Sequence, residues 1–423
     1  MNGLDLTRLK EHVSGQGPSA LDPIRERAIA SLESDGLPST RHEDWKYTDL
    51  SVVAQISDAW LANPAAPIST TAADSLLAAL VDDGEVDWLL LRNGNIEADG
   101  VKELAGVSVS RLSDGAHKPQ LTTPLAALNA ALISDGLVID IESTPERPLG
   151  LLFLDDAADS PGLSQTRVDI RIAAEASAEL IEYHASFGDN EHYGNAVLTL
   201  DVAAAATVRH LRVQNRSRAH SQTQRLDVRL ARDARFLSAS FDLGGKLTRN
   251  DLDVDLVEAG AHAEFRGLYL SGDGQHMDNH ARVDHRVGPA SSRQEYRGIL
   301  FGRARAVWNG KAVVHEGADG TDAEQANHNL LLSEHAEIDT KPELEIYAED
   351  VRCSHGTTVG QLDEKALFYL RSRGLAADDA RRLLVRAFAA ETLRSVPIPA
   401  LTDHLGGILE HRLADIKDIP LNV

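Results

Sequence analysis

The stretch Glu264–Leu268, EFRGL, returns as EYRGI at Glu295–Ile299, 31 positions later. Around it run short segments that alternate polar and apolar residues. They are Arg167–Ile172, Glu179–His184, Val197–Val202, Val208–Val213, Leu226–Leu230, Phe236–Phe241 and Leu252–Leu256, rich in Val, Ile, Leu and Phe. Alternation with that composition reads as β-strand. Ala178, Ala206, Ala234 and Ala263 each precede a strand-like segment, at spacings of 28, 28 and 29. A recurring interval of this size means stacked, similar coils, so a parallel β-helix fits best. A jelly-roll sandwich is the alternative, because alternation does not separate parallel from antiparallel pairing.

Outside this region the texture is helical. Asp22–Pro23 reads as an N-cap followed by proline in the first turn, leading a helix that Gly36 and Pro38 stop. Val86–Arg92 reads as a strand ending in the turn Asn93-Gly94-Asn95, and Leu125–Ser134 as a short helix. After Gly356, Asp363 is the expected N-cap of a helix closed by Gly374. A longer amphipathic helix, Asp378–Val396, is expected to stop at Pro397 and Pro399, and a third runs over about Leu401–Ile416. The expected division is therefore 1–136 helical and mixed, 137–360 β-helix, and 361–423 helical. The run RHEDWKYTDL (Arg41–Leu50) reads as a loop pinned to the body by the amphipathic rings of Trp45 and Tyr47.

With 65 acidic against 42 basic residues, the formal charge of −23 argues against general nucleic-acid binding. The start of the chain has no apolar core of a secretory signal, and no apolar run is long enough to span a membrane. One cysteine excludes an intrachain disulfide and agrees with a reducing cytoplasm. There is no GxxxxGK(S/T) phosphate loop, GxSxG elbow or HExxH motif. The acidic pair Asp253/Asp255 could serve a carbohydrate-active β-helix, but aromatic residues make up only 4% of the chain, few for sugar platforms.

The lone Cys353 lies in LEIYAEDVRCSHG (Leu344–Gly356), two positions before His355. On a strand both side chains face one way, offering a thiolate and an imidazole to a metal, or else a buried thiol beside a structural histidine. His276, His280, His285, His315, His328 and His335 fill the preceding region, yet His276 and His280 lie about 13 Å apart if the strand is extended, too far to share one ion. A chain with one cysteine cannot complete an iron–sulfur ligand set, so any cluster at Cys353 or His355 demands ligands from a second chain. Asp363–Arg394 carries 7 basic against 5 acidic residues, which suits either locally ion-paired helices or a dock for an acidic partner.

The runs YRGILFGRARAVWNGKAVV (Tyr296–Val314) and Asp319–Gly374, together with RHEDWKYTDL, resemble the SufB/SufD family of iron–sulfur assembly scaffolds over essentially the whole chain. The CSHG segment and the lack of further cysteines bring it nearer the SufD members than the SufB members. The resemblance implies a right-handed parallel β-helix flanked by N-terminal and C-terminal helices. It implies a non-enzymatic, cytoplasmic scaffold with no catalytic residue. Its partners would be SufB, met β-helix edge to edge, and the ATPase SufC, docked on the C-terminal helices. A transient iron–sulfur cluster would be shared with SufB and none held stably by the isolated chain. His355 would take part in building that cluster, with Cys353 beside it, and Phe368, Tyr369, Arg371, Arg373 and Phe388 would lie in the segment that meets SufC. A metal-free homodimer paired through the same edge, and a β-helical carbohydrate-active enzyme, are the competing readings.

Overall fold

The computed structural model describes residues 4–64, 71–81, 84–97, 104–115, 120–157, 161–394, 396, 398, 401–414 and 416. Pro397 and Pro399, the expected helix stops, lie outside the described residues. Among the described residues the strands form one ten-stranded and one nine-stranded sheet. Successive strands go alternately to one sheet and the other, so each coil is one strand of each sheet, and about seven coils stack. Register partners are parallel and about 30 residues apart, as in His262↔Ser291↔Asp322↔Arg352. Parallel pairing throughout the stack decides for the β-helix over the sandwich. Among the described residues antiparallel pairing is confined to its beginning, where Asp87–Arg92 turns back into Asn95–Ile96 through left-handed Asn93 and Gly94, and where Val107–Arg111 meets Leu137–Ile141.

The alanine interval has a structural cause. Four successive coils pass from the second sheet to the first through a residue with positive φ and then a buried alanine. The pairs are Glu175–Ala176, Ala205–Ala206, Asp233–Ala234 and Gly260–Ala261. The alanine carbonyls accept from the first strand residue of the next coil, as in Thr207 N to Ala176 O and Arg235 N to Ala206 O. A small side chain there leaves room for coils one strand spacing apart, and Thr321 takes the equivalent place at the last such turn, its carbonyl accepting from Arg352 N. Ala178 and Ala263 sit two residues further on, inside strands, where they pair with Val208 and Phe236. The echo of EFRGL is likewise out of register. Gly267 lies opposite Tyr296, and Gly298 opposite Tyr269. A Cβ on Gly267 would fall 2.2 Å from the Tyr296 ring, and one on Gly298 2.4 Å from Tyr269. Each glycine is the vacancy that the neighbouring coil's tyrosine fills.

Three apolar clusters hold the molecule. One lies between the sheets, with Leu180, Val208, Phe236, Phe265, Val228, Val254 and Trp308. The second lies outside the ten-stranded sheet, where Ile181, Leu211 and Phe241 meet Val385, Ala389, Leu405 and Leu409 of the C-terminal helices Ala377–Leu393 and Thr402–Ala414. The third lies outside the nine-stranded sheet, where Leu163, Tyr193 and Leu247 meet Leu9, Ile24, Leu32, Val53 and Leu128 of the N-terminal helices. The helix Asp22–Asp35 starts after Leu21 without a side-chain cap, and Asp22 lies inside it, bonded to Arg25. The preceding short turn Ser19–Leu21 already aligns the chain for the helix, so an aspartate cap is not needed.

The rest of the lumen is polar. Glu182 accepts from His210 Nε2 at 2.9 Å, His184 Nε2 at 3.2 Å and Gln224. Arg212 bonds Asp242 and Asn250 at 2.9 and 2.8 Å, and Arg216 bonds Asp155 and Gln222. Burial alone would raise the Glu182 pKa, but the two histidine N–H groups hold it well below the carboxylate range. Burial pulls His184 down to about 4, so it is a neutral donor. The loop of Arg41–Leu50 is pinned by Trp45, as expected, and by Thr48: Arg249 lies 4.3 Å over the Trp45 ring and bonds Asp44 O, while Thr48 bonds Asp278 and His276. Tyr47, the other expected anchor, has Lys46 over its ring.

Candidate functional site

The stack ends in two strands, Glu337–Ile346 in one sheet and Arg352–Gly360 in the other, each paired on one side only among the described residues. Unpaired strand edges invite another strand. Ile346, Tyr347 and Val359 are exposed at this end, and neither Gly356 nor Gly360 would meet anything with an added Cβ. Glycine in an edge strand suits close approach of another backbone.

Cys353 and His355 are the last rungs of two inward-facing ladders. One runs Ala178, Val208, Phe236, Ala263, Ser292, Ala323, Cys353; the other Leu180, His210, Ser238, Phe265, Gln294, Gln325, His355. Both side chains therefore face the lumen side, one spacing beyond the buried Ala323 and Gln325. Cys353 is half-buried and His355 exposed, and His355 makes no side-chain hydrogen bond among the described residues. Burial pushes the Cys353 thiol pKa up, opposed by a backbone contact with Ala323, so the isolated chain keeps a protonated thiol at neutral pH. A metal here would have to displace that proton. Gln325, beneath His355, is 4% exposed, and neither its Oε1 nor its Nε2 has a hydrogen-bond partner among the described residues.

A second feature follows directly. Asp363 caps the helix Glu364–Ser372 through Lys365 N, and this helix buries no residue at all. Phe368 and Tyr369 are 74% and 62% exposed, and Arg371 and Arg373 have no ion pair among the described residues. A short helix without a buried face lacks its main source of stability. In the next helix the charges are spent locally, Arg381 on Asp378, Arg382 on Asp379, Arg394 on Glu391 and Arg386 on Glu410. Phe388 sits apart from the exposed pair, half-buried on the inner face of its helix with Arg297 5.2 Å over its ring.

The family model "SUF system FeS cluster assembly, SufBD core domain" matches residues 153–388. The iron–sulfur cluster assembly protein SufD of Escherichia coli is 32% identical over 377 residues, covering 87% of this chain and 88% of the relative. The chain belongs to the SufBD family. An iron–sulfur cluster assembly SufBD family protein of Synechocystis is 31% identical over 428 residues, covering 95% and 93%. The chloroplastic protein ABCI7 of Arabidopsis thaliana is 26% identical over 441 residues, covering 96% and 90%. This member of the family is SufD-like and belongs with iron–sulfur cluster assembly.

Of the other histidines from His276 to Cys353 in this SufBD chain, His335 is exposed without a side-chain hydrogen bond among the described residues, and five are engaged elsewhere. His276 and His280 flank Asp278 on the outer face and touch Thr48 and Asp278. His285 turns inward to Ser292, His315 bonds Asp284, and His328 bonds Thr358. Among the described residues no three His, Cys, Asp or Glu side chains are grouped to hold a metal. Asp253 is bonded by Arg225, and Asp255 by Arg286, so the acidic pair is tied up in cross-coil ion pairs. No described helix is long and apolar enough to cross a membrane. The polar lumen and Gln325 escaped the sequence reading. Alternation gives Gln325 an inward position beside Ala323, but which coil lies above it depends on a register that the echoed motif misstates.

Proposed function

We propose that this chain is a non-catalytic scaffold subunit of a cytoplasmic SUF assembly. It supplies one side of a shared site on which an iron–sulfur cluster, the cargo, is built. The observation that carries this reading is the pairing of His355 and Cys353 at an open β-helix end that has donors for only part of a ligand shell. A cluster needs several soft ligands, and the two here suit iron only when another chain adds the rest. SufB, paired along the free edges of Glu337–Ile346 and Arg352–Gly360, is that chain. SufC docks on residues 361–423, with the unburied helix Glu364–Ser372 and its Phe368, Tyr369, Arg371 and Arg373 at the centre. Phe388 contributes by holding the dock against the β-helix at Arg297.

Co-expression with SufB and SufC tests it. A complex should form, and iron and acid-labile sulfide should accumulate only when all three are present. Cluster retained by this chain alone, or no association with SufB, overturns the proposal. The same exposed edge favours a second form: in the absence of SufB, two copies pair through it. Size-exclusion chromatography with light scattering should give a dimer that dissolves when SufB is added.

A further inference from the structure

We infer that Gln325 is a positioning residue for His355, acting through a side-chain relay that closes only when a partner covers the end of the stack. The inference rests on the function proposed above. Gln325 is buried, inward-facing and directly in register with His355. Strand partners lie about 4.8 Å apart, within reach of two such side chains. Buried amides are almost always bonded, and both polar atoms of Gln325 are without a partner among the described residues. Its possible partners deeper in the lumen are mostly spent: Asn327 on Tyr269 and Tyr296 O, and Ser292 on His285. Among the described residues three other lumen groups of the last coils keep no partner: Trp308 Nε1, Thr340 Oγ1 and Gln294 Oε1. Of these Gln294 is the next rung inward on Gln325's own ladder, its Nε2 given to Lys311 O.

A bond along the ladder to Gln294 sets the polarity of the relay. Gln294 Oε1 can only accept, so in that bond Gln325 turns its Nε2 inward and its Oε1 outward. The outward oxygen then accepts an N–H from one ring nitrogen of His355. The other ring nitrogen is left with its lone pair pointing to the partner, as an iron ligand requires. Nothing covers His355 in the single chain, and its ring is free to turn away. Covering it with another protein excludes water and leaves the amide and the imidazole each other as partners.

Gln325→Leu and Gln325→Glu separate this role from packing. Gln325→Leu removes two unpaired buried polar atoms, so the isolated chain should melt at the same temperature or higher, and co-purify with SufB normally. Cluster formation in the SufB–SufC complex should nevertheless fall 10- to 100-fold, the usual cost of losing a group that orients a metal ligand. Gln325→Glu keeps the outward oxygen and should restore most of it. Wild-type assembly by Gln325→Leu, or no rescue by Gln325→Glu when that variant folds and binds SufB, overturns the inference. His355→Ala run in parallel distinguishes the two levels. If it assembles normally the shared-site reading fails, whereas if it is defective while Gln325→Leu is not, only the relay fails.

Discussion

His355→Ala should disable assembly without touching the fold, and the structure sets both magnitudes. The imidazole is exposed, lies on an edge strand and makes no hydrogen bond among the described residues. Its removal leaves no cavity and no orphaned partner, so stability should change by less than about 0.5 kcal/mol. For a chain of this length that moves Tm by under about 2 °C. Assembly depends on the same ring differently. With only Cys353 beside it, and that thiol held protonated by burial, loss of the imidazole removes the better donor on this side of the shared site. Losing a group that merely orients a ligand costs about 10–100-fold, so losing the ligand should cost at least that. The assay is cluster absorbance together with iron and sulfide content of the SufB–SufC complex, compared with Ser354→Ala, whose side chain faces the other way. A His355→Ala complex that loads cluster at the wild-type rate would refute the reasoning, as would equal damage from Ser354→Ala.

Gly298→Ala should destabilise by about 1–3 kcal/mol, since the new methyl meets the buried Tyr269 ring and Asn329, whereas Gly356→Ala, with nothing within 4 Å, should be neutral; denaturant titration decides. Phe368→Ala with Tyr369→Ala should weaken SufC binding at least tenfold while leaving Tm unchanged, read by calorimetry. Burial holds His184, His192 and His285 at about 4, below the 6.5 of an unfolded histidine. The unfolded chain therefore binds more protons between these values. Stability should be complete above pH 6.5 and fall as pH drops towards 4, by roughly 1 kcal/mol per pH unit per histidine, and a flat profile there contradicts a neutral, buried state. Labelling of Cys353 in the SufB–SufC complex should rise on ATP addition if nucleotide-driven closure of SufC strains the shared boundary, and constant labelling excludes that coupling.

The architecture was legible because it is periodic. Small residues must recur wherever one coil turns onto the next, and the 28-residue steps between Ala178, Ala206 and Ala234 carried that interval even though Ala178 is two places off the turn. The facing of Cys353 and His355 followed from strand geometry alone. What could not be read was anything set by the neighbouring coil. The EFRGL and EYRGI runs look superimposable, yet the register shifts them so that each glycine receives a tyrosine. The charges of the lumen carry no local mark of burial, because Glu182 and Arg212 are bonded by residues about 30 positions away, beyond any local pattern. Phe388 appeared equivalent to Phe368, but the helix that carries it packs against the sheet and turns it under Arg297.

The coils, finally, are fastened one to the next like the courses of a wall, and both broad faces are already plastered over by helices. The topmost course has a neighbour below and none above, so it is the loosest part of the masonry. The residues proposed above for iron, Cys353 and His355, are set in that course. A protein arriving there as proposed would finish the building: it would lay the missing layer, stiffen the ground on which the metal would rest, and make the quality of the join a condition for the chemistry to start.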